Sequence, residues 1–163
     1  NEKGIEKMKK YEFTDDTTTF RNVVLCRIRA LKDFGDVKAG ELGGYIEKEE
    51  NLSQEGNAWV YGNAWVCDNA KVYGNAWVYG DAKVYGDAEV YGNADYATVK
   101  GFGREFRTTT FFRQKDKTIG VVCGCFYGTL EEFRKKVKET HGDSKYAKEY
   151  LMIADLMETH FKE

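Results

Sequence analysis

The chain has 163 residues, with 25 lysines and arginines against 27 acidic residues and a net charge of −2. It therefore lacks the broad positive field that long nucleic acids or an anionic membrane surface would require. It is long enough to bury a core but short for two large independent domains, and no apolar stretch approaches the length that crosses a bilayer.

The first ten residues are charged and no apolar signal region comes after them, so a soluble, cytoplasmic protein is expected. The first strand-like segments are Tyr11-Glu12-Phe13 and the run from Val23 to Leu31. In the second, Val24, Cys26, Ile28 and Ala30 alternate with Leu25, Arg27, Arg29 and Leu31, which predicts an antiparallel pair joined across residues 15–22. Such a pair is expected to cap the open end of the central segment.

That central segment is a repeat. From Gly56 the chain reads GNAWVY, GNAWVC, DNAKVY, GNAWVY, GDAKVY, GDAEVY and GNADYA, a period of six. Valine and the alanine four residues on share one side of an extended chain, and Gly-Asn or Gly-Asp supplies a corner in each copy. Three such edges make an 18-residue turn, placing Val60 against Val78, Val66 against Val84 and Val72 against Val90. The outward positions hold Trp59, Trp65, Trp77, Tyr61, Tyr73, Tyr79, Tyr85 and Tyr91. Stacking between rungs would account for these rings. A subunit interface would account for them as well, because a monomer does not comfortably expose so wide an aromatic stripe.

After the repeats, residues 106–113 and 119–126 read as two strands around Gln114-Lys115-Asp116-Lys117. Thr129 and Glu132 form a capping-box pattern ahead of a helix that Gly142 ends. A second helix from about Ser144 presents Tyr146, Tyr150, Ile153 and Met157 as an apolar stripe. The expected organisation is residues 1–41 as N-terminal strands, 42–100 as repeats, and 101–163 as a hairpin and two-helix cap.

The repeat, carried by Val60-Tyr61-Gly62-Asn63-Ala64-Trp65 and its copies, resembles the hexapeptide-repeat proteins. That resemblance implies a mainly β chain: a short left-handed parallel β-helix with an N-terminal β cap and a C-terminal β-hairpin plus two-helix α+β cap. It also implies a homotrimer. The segments Arg29 to Gly40, the GNAWVYG copies and Cys123 to Phe133 are similar to a group of phage- and prophage-encoded proteins of unassigned function. This second resemblance implies a phage accessory protein in the cytoplasm of a bacterial host.

Hexapeptide-repeat proteins are often acyltransferases that use a histidine as base. The histidines here are His141 and His160, both outside the repeats, so His141 is a weak catalytic candidate, with placement at a helix end as the structural explanation. No zinc ligand set is present. Cys26, Cys67, Cys123 and Cys125 read as reduced, buried small hydrophobes, with the last two sharing one strand face. No metal and no cofactor are expected.

Residues 97–128 gather Lys100, Arg104, Arg107, Arg113, Lys115 and Lys117 against Glu105 and Asp116. Arg104, Arg107, Arg113, Lys115 and Lys117 are candidate ligands for a small anionic nucleotide, although the same charges would serve to keep a sheet edge soluble. The leading expectation is a non-catalytic binding protein that counters host defence through a protein target or by sequestering a nucleotide. A hexapeptide-type acyltransferase and a virion or other structural assembly protein are the alternatives.

Overall fold

The computed structural model describes residues 8–162; the first seven residues of the expected N-terminal unit lie outside the described residues. The chain opens with β1 (Tyr11–Phe20) and β2 (Val23–Ala30), an antiparallel hairpin. Arg21 and Asn22 both have positive φ, 50° and 65°, and make the two-residue turn that suits the twist of a hairpin. The first strand thus runs through residues 15–20, where a loop was expected, because Thr17, Thr18 and Thr19 favour extended backbone. The alternation expected in β2 also breaks. Leu25, Ile28 and Ala30 are buried while Val24 is exposed, since register shifts between Phe13 and Thr17 and between Arg27 and Arg29 change the inward face midway.

Next come β3 (Leu42–Ile46) and six two-residue strands: β4 (Trp59–Val60), β5 (Trp65–Val66), β6 (Lys71–Val72), β7 (Trp77–Val78), β8 (Lys83–Val84) and β9 (Glu89–Val90). The six short strands pair in parallel at a separation of eighteen residues, with Val60 opposite Val78, Val66 opposite Val84 and Val72 opposite Val90. All six valines are buried, with Ala58, Ala64, Ala70, Ala76, Ala82 and Ala88 beside them. Ala94, in the last degenerate copy, is exposed.

The expectation of a mainly β protein built on a left-handed parallel β-helix is corrected by the sheet topology. Among the described residues there are four discrete sheets: a mixed five-stranded sheet in the order β1-β2-β3-β5-β8, two separate pairs β4-β7 and β6-β9, and a four-stranded antiparallel sheet. With two helices, the class is mixed α/β, and no continuous solenoid forms. The physical reason is local. A corner every six residues leaves only two strand residues per copy, so each ladder stays short, and one ladder is extended by the antiparallel hairpin instead of by further coils.

The antiparallel sheet is β10 (Tyr96–Val99), β11 (Thr109–Arg113), β12 (Ile119–Cys123) and β13 (Phe126–Thr129). Its helices are α1 (Leu130–His141) and α2 (Lys145–His160). Alternation along β11 and β12 sends Phe111 and Val121 into the helical core with Phe133, Val137 and Tyr150. Phe112 and Val122 turn the other way, into the core of the repeats. This sheet is therefore an inner layer, with the repeats on one face and the two helices on the other. Gly120 makes the layer possible, because a Cβ there would run into the Phe112 ring. Thr129 starts α1 by accepting from the Glu132 amide at 3.2 Å while Glu132 accepts from the Thr129 amide at 2.9 Å.

At the other end, Lys10 is fully buried, and its ammonium donates to the carbonyl of Ala58 at 2.7 Å and, at 3.4 Å, to those of Glu55 and Gly56. Burial, with Lys32 nearby, lowers its pKa from 10.5 to about 8. Between about pH 8 and pH 10 the unfolded chain keeps a proton here that the folded chain has released. Stability should then rise with pH by up to about 1.4 kcal/mol per unit. Above about pH 9 the buried Cys67 thiol, and above about pH 10 the buried Tyr11, both with pKa raised by desolvation, act in the opposite sense. Urea unfolding at pH 7, 8 and 9 checks this, and Lys10→Met should flatten the slope.

Candidate active site

Three clefts border the inner sheet. The one richest in reactive groups lies between the β12–β13 turn, the loop before β11 and the end of α1, with a volume of about 350 Å³. His141, the last residue of α1, lines it together with Cys123, Cys125 and Tyr150, and Arg104, Arg107 and Lys136 supply positive charge against Glu105. Chain stops place these groups. Gly142, at φ 56°, ends α1 immediately after His141. The His141 ring is half-buried, with the rings of Tyr146 and Tyr150 each 6.0 Å away.

Two glycines are obligatory here. Gly103 has φ 77°, and a Cβ on it would meet the Tyr150 ring at 2.7 Å. Gly124 has φ 59°, and a Cβ there would collide with the Arg107 guanidinium, which packs on that turn. Tyr150 donates to the Phe102 carbonyl at 3.1 Å. Burial, with the Cys123 thiol beside it, pushes its pKa up to about 12, so it remains a neutral donor.

The second cleft, about 450 Å³, runs along the repeats past Asn63, Trp65, Asp81 and Lys83 and ends at Arg107, which also lines the first. Lys83 Nζ stands 4.6 Å over the Trp65 ring. The third is the largest, about 900 Å³, and contains Tyr73, Tyr91, Arg113, Lys115 and Lys117 with Glu89, Asp95 and Glu158.

The basic residues singled out from sequence are thus divided between two places. Arg104 and Arg107 join His141. Arg113, Lys115 and Lys117 lie in the largest cleft, where Arg113 bonds Asp95 at 2.8 Å and the Phe161 carbonyl at 2.8 Å. His160 is exposed and packs edge-on to Phe161, 4.8 Å between ring centres.

The aromatic positions also divide. Trp59 is wholly buried within the chain against Tyr11 and Phe34, and Tyr85 is buried between Phe20 and Tyr127, so the outward position expected for each is corrected. Trp65 and Trp77 are half-buried, packing with Phe20 and Tyr61 respectively. Tyr73 and Tyr91 meet at 5.0 Å, and Tyr79 and Tyr91 are exposed.

Two further site residues, Cys123 and Cys125, were expected to be buried on one strand face. All four cysteines are free thiols, but Gly124 turns the chain between these two and leaves Cys125 exposed. The signal was the glycine inside the C-x-C. His141 is distant in sequence and only the packing of α1 on β12 and β13 brings it near.

No protein-family model matches the chain. A curated relative, an uncharacterized acetyltransferase, YdcK, of Escherichia coli, is 45% identical over 56 residues, covering 34% of this chain and 17% of that protein. The chain thus spans a small part of its relative's length. This likeness is to a bacterial acetyltransferase, and it overturns the expectation of a phage accessory protein that counters host defence by binding a protein or sequestering a nucleotide. Among the described residues no helix is long and apolar enough to cross a membrane.

Proposed function

We propose that the chain takes part in acyl transfer, with the cleft at the end of α1 as its site. The observation that carries this reading is the convergence of His141 with Arg104, Arg107 and Lys136 in one cleft. An acyl-CoA donor has phosphates for the cations and a long pantetheine arm, for which the adjoining groove past Trp65 and Lys83 has room. His141 then acts as general base, taking the proton from an acceptor amine or hydroxyl as it attacks the thioester carbonyl. Tyr150 and Gly103 hold the arginine loop against α2. The likeness to an acetyltransferase supports the same chemistry and makes acetyl the first acyl group to test.

The experiment is chromatographic measurement of free CoA released from acetyl-CoA by the purified protein, with a panel of amine and hydroxyl acceptors. Acceptor-dependent turnover is expected. No release above the buffer rate with any acceptor, together with no saturable binding of acetyl-CoA, would overturn the proposal.

A further inference from the structure

We infer that Cys125 is the nucleophile that first receives the acyl group, so that transfer proceeds through a covalent thioester on the protein. The inference rests on the acyl-transfer reading of the same cleft.

Of the four thiols, Cys67 is buried, and desolvation pushes its pKa up to about 12, leaving it inert. Cys26 is half-buried on β2, away from the cleft. Cys123 lines the cleft but is engaged by its surroundings: the Thr109 hydroxyl donates to its sulfur at 3.3 Å, and Tyr150 Oη lies 3.9 Å away. Cys125 is exposed and stands in the cleft with His141.

Its position is also fixed. Cys123 pairs with Phe126 across the two-residue turn, and Arg21 at the tip of the first hairpin donates to the Cys125 carbonyl at 2.6 Å, tying the turn to a segment 104 residues away in sequence. The Arg107 guanidinium packs on Gly124, next in the chain to Cys125. Reactive thiols occupy such accessible sites beside positive charge, because it is the thiolate that attacks. Among the described residues Glu105 is the one acidic group lining the cleft, against Arg104, Arg107 and Lys136.

The step balances without an oxidant or added reductant. Cys125 Sγ gives its proton to His141 and attacks the carbonyl carbon of the donor thioester. A new carbon–sulfur bond forms to Cys125, the bond to the donor sulfur breaks, and that sulfur leaves with the proton from His141. The acceptor amine or hydroxyl then attacks the protein thioester, losing its proton to His141, and Cys125 leaves as thiolate and is reprotonated.

Incubation with acetyl-CoA and no acceptor, followed by intact-mass measurement and peptide mapping, tests this. One acetyl group per chain is expected, on Cys125, removed by neutral hydroxylamine. Cys125→Ala should abolish it and lower turnover about tenfold or more, and Cys125→Ser should give an ester that resists hydroxylamine under the same mild conditions. Full turnover in Cys125→Ala, with no hydroxylamine-labile adduct on the wild-type protein, would overturn the covalent step and leave acyl transfer standing as a direct reaction. Absence of turnover, adduct and acetyl-CoA binding together would remove the underlying reading as well.

Discussion

Replacing His141 with asparagine should lower acetyl-CoA turnover by about 10²- to 10⁴-fold, the range that one positioned general base contributes. Asparagine keeps hydrogen-bonding capacity but cannot take up and return a proton. The fold does not depend on the half-buried ring, because α1 is held by Leu130, Phe133 and Val137 instead. Donor affinity should change little, because Arg104, Arg107 and Lys136 are assigned to the phosphates. Steady-state kinetics read the distinction. A fall in kcat with KM preserved fits a base, whereas a rise in KM alone would make His141 a binding residue.

Trp59→Ala should destabilise the protein by about 3–5 kcal/mol, the usual cost of emptying a large buried aromatic site. The ring is fully buried, 5.2 Å from Phe34 and 6.2 Å from Tyr11, and it fills space that Gly43 leaves open. A methyl group on Gly43 would approach the indole to 2.7 Å. The loss therefore falls where the hairpin, β3 and the repeats meet. Trp59 Nε1 has no hydrogen-bond partner among the described residues, so Trp59→Phe sacrifices only volume and should cost clearly less. Urea unfolding of the three proteins compares the midpoints. Equal midpoints for alanine and wild type would show that the hairpin does not depend on this ring.

The repeats were the most legible part of the chain, because a six-residue period fixes both the corner residues and the eighteen-residue pairing of the valines. The class of the whole fold was not. Nothing in the period says how far the ladders extend, and their extension by an antiparallel hairpin is a tertiary choice. Trp59 shows the same limit: its copy is like that of Trp65, yet one is buried between Tyr11 and Phe34 while the other, with Phe20 beside it, stays half-open. For the site, Arg104, Arg107 and His141 were each visible as residues. Their convergence was not, since it depends on Gly142 ending α1 beside a turn that Gly124 opens. Cys125 was misread because a strand pattern was carried through that glycine.

The most direct measurement is a crystal structure of the protein with acetyl-CoA. Donor bound with its phosphates at Arg104 and Arg107 and its thioester beside His141 and Cys125 is the predicted result. Donor seated instead in the larger cleft around Arg113, Lys115 and Lys117, or no donor bound at saturating concentration, would contradict the assignment of this cleft to acyl transfer.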